Sequence, residues 1–157
     1  SAPTARRIWS LSNSGLRPIH ASYIRKHILI SGCFVQVELL WAAASLSLVT
    51  FGVHTFIGGV FVARPLLADT GLPRASKWLN YYCWHLVTLT ILALGLALAW
   101  SAHSGRTDLA VFAVLLSAAF SCLSIAVAIA GGIHPLRFPS TTLFALITLT
   151  GSAGLAG

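Results

Sequence analysis

Long apolar runs alternate with short polar links along this chain, and the alternation indicates its fold. The apolar runs cover residues 34–63, 79–102, 109–133 and 142–157. A helix needs roughly 20 apolar residues to cross a bilayer; the first run is longer than that and the last is shorter. Pro, Gly and charged residues, which end helices, fill the links. The pattern therefore predicts an all-α integral membrane protein, an up-down bundle of four transmembrane helices.

Helix boundaries follow from the residues at the edges of these runs. Helix one is expected to end at Arg64-Pro65, because proline interrupts a helix. Thr107 or Asp108 is a candidate N-cap for helix three, which should run to about Ile133. The last run is predicted to begin behind a second cap, Ser140 or Thr141.

Composition supports residence in a bilayer and argues against other partners. Hydrophobic residues make up 57% of the chain and charged residues 8%, against roughly 25% charged in an average soluble protein. The net charge is +7, and all ten Lys and Arg lie outside the apolar runs, where they can meet anionic headgroups. We therefore expect a lipid bilayer and no nucleic acid as partner. Cys33, Cys83 and Cys122 form no CxxC pair, which argues against a disulfide oxidoreductase.

Residues 1–33 are predicted to form a basic N-terminal arm, and residues 34–157 the transmembrane domain. The arm carries five Lys or Arg and no acid, so we expect it at the headgroups, with an interfacial helix near residues 24–30. The arm and the second link, residues 103–108, together hold six Lys or Arg, against four in the first and third links, residues 64–78 and 134–141. This difference places the termini on the cytoplasmic or matrix side of a bacterial or organellar inner membrane. If the arm is discounted, the predicted orientation reverses.

Three histidines are predicted to share one leaflet. Antiparallel helices place the end of helix one, the start of helix two and the end of helix three on the same side, which brings His54, His85 and His134 to one level. From the helical rise, His54 lies about 14 Å and His85 about 9 Å from the nearer helix end. His54 should point inward because a stripe of small and polar residues shares its face: Ala43, Ser47, Thr50 and Gly58. We expect His54 and His85 to approach each other, with His134 at the rim.

Imidazole is a common ligand of metals and pigments, which makes these histidines candidates for binding. The sequence assigns His54, His85 and His134 as cofactor-binding residues for a haem, a metal ion or a chlorophyll-type pigment, with His54 and His85 as metal ligands. The alternative is that they only make hydrogen bonds within the bundle. That alternative has support, since no two of them are spaced i, i+4 and no acid lies nearby.

Glu38 is the one acid inside an apolar run. A membrane carboxylate can couple proton movement to transport, which predicts a proton-coupling role for Glu38 in a small transporter or channel. The alternative is an interfacial acid that pairs with Arg25, Lys26 or Arg106.

Several short motifs resemble those of small uncharacterised bacterial four-helix integral membrane proteins: Gly52-Val53-His54, Gly58-Gly59, Arg64-Pro65-Leu66-Leu67, Tyr82-Cys83-Trp84-His85 and His134-Pro135. The resemblance covers residues 40 to 157 and implies topology and histidine positions, without an activity. From the sequence we expect an accessory or structural subunit of a larger membrane complex, or a homo-oligomer. A small proton-coupled transporter or channel is the alternative, and an enzyme ranks third, with no catalytic residue assigned.

Overall fold

A computed structural model describes the backbone of residues 16–156 and the side chains of residues 34–156. The chain divides into two compact units, Ser1–Val35 and Gln36–Gly157. The side chains of the basic arm and the backbone of residues 1–15 lie outside the described residues. Within it the backbone is helical from Leu16 onward, so a helix at residues 24–30 is present, while its interfacial placement stays a prediction.

Every regular element in the described part of the chain is helical, which confirms the all-α prediction. In chain order the elements are α1 (Leu16–Gly52), a π-helix (Val53–Ala63), α2 (Arg64–Ala68), α3 (Arg74–Ser104), α4 (Thr107–Ala130), a 3-10 turn (Pro135–Arg137) and α5 (Pro139–Leu155). The π-helix and α2 continue α1 without a break.

Three helices are long and apolar enough to cross a membrane: Phe34–Ala68, Arg74–Ser104 and Thr107–Ala130, with mean hydropathies of 1.8, 1.8 and 2.4. Exposed aromatic residues mark both ends of the second, since Trp78, Tyr82 and Trp100 are each more than half exposed. Such belts are typical of membrane interfaces. α5 has 17 residues, a length of about 26 Å, so a fourth span stays a prediction.

Two predicted helix ends are wrong. The first helix passes Arg64-Pro65 and ends at Ala68, because Pro65 lies in the first turn of α2, where its missing N–H is tolerated. α4 ends at Ala130 rather than Ile133, since Gly132 takes a φ of 68° that a helix cannot continue.

Both predicted N-caps are also wrong. Arg106 is the N-cap of α4 and Phe138 that of α5, and neither side chain makes a capping hydrogen bond. The turn into α4 is instead held by Ser101, whose hydroxyl donates to the carbonyl of Arg106. α5 begins with Pro139, whose fixed φ suits the first helical position.

Small residues let α5 approach its neighbours closely. A Cβ on Gly151 would lie 2.6 Å from Cγ2 of Val114 on α4, and one on Gly154 would lie 3.0 Å from Cγ of Leu40 on α1. Around these contacts the core contains Ala43, Ala44, Ile91, Leu94, Leu98, Ala110, Ala113, Phe144 and Ile147. In lipid, such close packing replaces the hydrophobic drive that water would provide.

A stripe of buried serines on α4 joins it to α5. Ser117 donates to the carbonyl of Phe144 at 3.0 Å, and Ser121 donates to that of Thr141 at 3.2 Å. One turn further, Ser124 shares a hydrogen bond of 2.7 Å with the Thr141 hydroxyl. The bonds add polar contacts between two otherwise apolar helices.

Candidate functional site

The π-helix interrupts the first long span near its end. It runs for 11 residues, Val53–Ala63, and the N–H of Arg64 still donates to Gly59 O, five residues back. π-Helical geometry normally occurs as single turns and is frequent at functional sites. A run of this length therefore marks the segment as a candidate functional site.

Gly58 brings the π-helix against Trp84 of α3. A Cβ on Gly58 would lie 2.5 Å from Cη2 of Trp84, so the indole ring occupies the space that any side chain would take. A Cβ on the neighbouring Gly59 would meet nothing within 4 Å. The two glycines that share one motif thus have different surroundings.

His54 also contacts Trp84. Its ring lies parallel to the Trp84 indole, with ring centroids 3.9 Å apart and an interplanar angle of 16°. His54 Nε2 is 3.4 Å from the carbonyl oxygen of Trp84, which also accepts the Thr88 hydroxyl at 2.9 Å. When Nε2 is the donor, Nδ1 keeps the lone pair.

The inward direction predicted for the His54 stripe is confirmed for its residues on α1, while His54 and Gly58 on the π-helix are half-buried. Ala43, Ser47 and Thr50 are all buried, with exposed fractions of 3% or less. Ser47 also donates to the carbonyl of Ile91 at 3.1 Å, which ties α1 to α3 below the π-helix.

A cavity of about 540 Å³ lies beside His54, and we call it the His54 cavity. The π-helix, α3 and the beginning of α5 line it, with apolar side chains that include Phe61, Trp84, Phe138 and Leu143. Ligand pockets commonly measure about 300–1,000 Å³ and are mostly apolar with a few polar groups. By size and lining, this cavity can hold a small hydrophobic molecule.

A second cavity of about 400 Å³ lies on the other flank of the same helices, and we call it the Arg64 cavity. Its lining is more polar: Thr55, Arg64, Tyr81, His85 and Thr88 all contribute. Trp84 lines both cavities.

The structure places the three predicted histidines at different positions. His54 lines the first cavity and His85 the second. His85 is exposed and meets Tyr81 edge to face, with centroids 4.5 Å apart. His134 is exposed, lines neither cavity, and accepts the N–H of Leu136 on Nδ1 at 3.3 Å, which caps the 3-10 turn.

Nothing in this arrangement supports a metal site built from protein ligands alone. Across residues 34–156, no group of three or more His, Cys, Asp or Glu is placed to hold a metal ion. Joint ligation by His54 and His85, and a role for His134 at the rim, stay predictions.

Glu38 is exposed on α1 and lines neither cavity. Of its predicted partners, Arg106 pairs instead with Asp108 at 2.7 Å, and this hydrogen bond raises the pKa of Arg106 above its ordinary value. The side chains of Arg25 and Lys26 lie outside the described residues. Proton coupling by Glu38 stays a prediction.

Sequence reasoning missed the part of Trp84 in this site. Trp84 entered the sequence analysis only as part of the motif Tyr82-Cys83-Trp84-His85, next to the separate motif Gly58-Gly59. Adjacent glycines in an apolar span are a signal of close helix contact, and the structure identifies Trp84 as the residue that Gly58 contacts.

No protein-family model matches the chain, and no curated protein or solved structure matches it.

Proposed function

We propose that this chain is an accessory or structural subunit of a larger membrane complex and that its His54 cavity holds a hydrophobic cofactor. The observation that carries the proposal is a largely apolar cavity of about 540 Å³ with a single imidazole in its wall. The π-helix forms part of the cavity wall, and π-helical geometry is frequent at functional sites.

A haem or a chlorophyll-type pigment suits this cavity better than a bare metal ion. Structural zinc takes four protein ligands, and no such group is present in the described residues. A tetrapyrrole brings its own in-plane nitrogens and needs only an axial imidazole from the protein. His54 is the residue that would provide it.

The surroundings of His54 favour such a role. A ligating histidine commonly donates its other ring N–H to a carbonyl, which fixes the ring and its tautomer. The 3.4 Å contact between Nε2 and the Trp84 carbonyl is of this kind, and stacking on the indole restricts the ring further. Nδ1 would then be the ligating atom.

The distribution of charged residues favours a cofactor-binding protein over a proton-coupled transporter. In residues 34–156 the acids are Glu38, Asp69 and Asp108, and Asp69 and Asp108 lie at helix ends. Few groups within the spans could therefore carry protons or ions. In this proposal α5 is the fourth span, and both termini face the cytoplasm or matrix.

Native purification of the full chain tests both parts of the proposal. We expect defined partner chains to co-purify and the preparation to absorb visible light as a haem or chlorophyll does. His54→Ala should abolish the absorption, because it removes the axial ligand. His103→Ala is the matched control, since His103 is exposed and stacks loosely on Trp100, with centroids 6.2 Å apart.

Two results would overturn the proposal. A colourless wild-type complex would exclude the pigment, and a homogeneous preparation without partner chains would exclude the subunit role. Unchanged absorption in His54→Ala would separately remove His54 as the ligand.

A further inference from the structure

The Arg64 cavity has a positive charge that no acid in the described chain neutralises. Asp69 accepts the backbone N–H groups of Gly71 and Leu72 at 2.6 and 3.1 Å. Asp108 pairs with Arg106, which is the only ion pair within residues 34–156. Glu38 lines neither cavity.

The same cavity contains polar groups available to a ligand. The Thr55 hydroxyl is buried and has no hydrogen-bond partner among the described residues. A buried polar atom without a partner costs free energy, so such atoms generally meet a ligand or water. Tyr81 and His85 add a phenol and an imidazole to the lining.

The rest of the wall is apolar and open. Phe56, Val60 and Leu67 line the cavity, and Gly59 leaves open space beside the π-helix backbone. The exposed aromatic belt at the start of α3 includes Trp78 and Tyr82, the neighbour of Tyr81. Tyr81, which lines the cavity, therefore lies at the level of this belt, where lipid headgroups meet a membrane protein.

We propose that the Arg64 cavity binds a phosphate group, carried either by an anionic lipid headgroup or by free phosphate. Arg64 supplies the charge, because a guanidinium pairs with phosphate oxygens through two parallel hydrogen bonds. Tyr81, His85 and Thr55 supply further donors. The inference is independent of a cofactor beside His54, since it concerns a different cavity, and it gives His85 a role apart from His54.

Binding to the full-length protein in detergent tests this proposal, with phosphatidylglycerol and inorganic phosphate as the two probes. Native mass spectrometry measures the lipid, and calorimetry measures the ion. Arg64→Gln removes the charge, while Gly59→Leu fills the cavity and leaves every polar group in place. Arg74→Gln is the matched control, because Arg74 is an exposed basic residue at the start of α3 that does not line the cavity.

We expect Arg64→Gln and Gly59→Leu each to weaken binding by about tenfold or more. Arg74→Gln should change it by about twofold at most. Binding of both probes identifies a phosphate-ion site, and binding of the lipid alone identifies a headgroup site. Equal losses in Arg64→Gln and Arg74→Gln, wild-type binding by Gly59→Leu, or no binding of either probe would overturn the proposal.

Discussion

Gly58 and Gly59 are adjacent in the chain but differ in what a methyl group would meet. At Gly58 a Cβ would lie 2.5 Å from Cη2 and 3.1 Å from Cζ2 of Trp84. At Gly59 it would enter open space. Substituting each glycine in turn therefore separates the effect of the Trp84 contact on stability from the general effect of glycine on helix stability.

We expect Gly58→Ala to destabilise the protein by about 1–3 kcal/mol, the usual cost of overpacking a tight contact. Trp84 must move, and the stacked His54 ring must move with it. Gly59→Ala should be neutral or stabilising by up to about 1 kcal/mol, since alanine favours a helix. Thermal unfolding of both variants in the same detergent measures the difference. Equal destabilisation by the two changes would show that the Trp84 contact is not the cause.

At the scale of elements, the attachment of α5 depends on the serine stripe of α4. The double variant Ser117→Ala, Ser121→Ala removes two hydrogen bonds to backbone carbonyls of α5. Hydrogen bonds between membrane helices contribute about 0.6 kcal/mol on average and up to about 1.7. We therefore expect a loss of about 1–3 kcal/mol in the free energy of unfolding, measured by denaturant titration in mixed micelles.

Ser45→Ala is the control for this prediction. Ser45 is exposed and donates only to the carbonyl of Trp41 in its own helix, at 2.9 Å. Its removal should leave stability unchanged. If the double variant is as stable as this control, α5 is held by the glycine contacts at Gly151 and Gly154 rather than by the serines.

At the scale of the whole molecule, we predict that α5 crosses the bilayer as a fourth span. The test uses single cysteines in a background without Cys33, Cys83 and Cys122, labelled with an impermeant maleimide in sealed vesicles. Thr70→Cys and Arg137→Cys should label from one face, and Ser104→Cys and Ala156→Cys from the other. All four positions are exposed.

The position at Ala156 decides between three and four spans. Labelling of Ala156→Cys from the same face as Arg137→Cys would mean that α5 lies within one leaflet. The three long helices would be retained in that case, and the proposed position of the C-terminus would be wrong.

The helices and their membrane character could be predicted from the sequence alone. In lipid, every backbone N–H and C=O must find its partner within the protein, so an apolar run of sufficient length forms a helix. Hydropathy therefore carries most of the information. The inward stripe of Ala43, Ser47 and Thr50 was equally predictable, because it lies on regular α-helix, where spacing determines direction.

Local signals were less reliable at the helix ends. Thr107 and Ser140 are good capping residues by type, and Pro65 is a helix breaker by type. The structure uses Arg106 and Phe138 as N-caps and continues the helix through Pro65. The position of an N-cap and the continuation of a helix through proline both depend on the local backbone geometry. Because several residue types are compatible with the same geometry, residue type alone does not determine these features.

The sequence by itself determined an all-helical chain with long apolar helices and an inward stripe of Ala43, Ser47 and Thr50 on the first of them. Only the tertiary structure decided that His54 and His85 line different cavities and that Trp84 lines both. The physical reason is that α-helical spacing ceases to give direction at Val53, where the π-helix begins and changes the rotation per residue. Which side chains then meet across two helices depends on their relative rotation and height, and these are set by contacts such as Gly58 against Trp84.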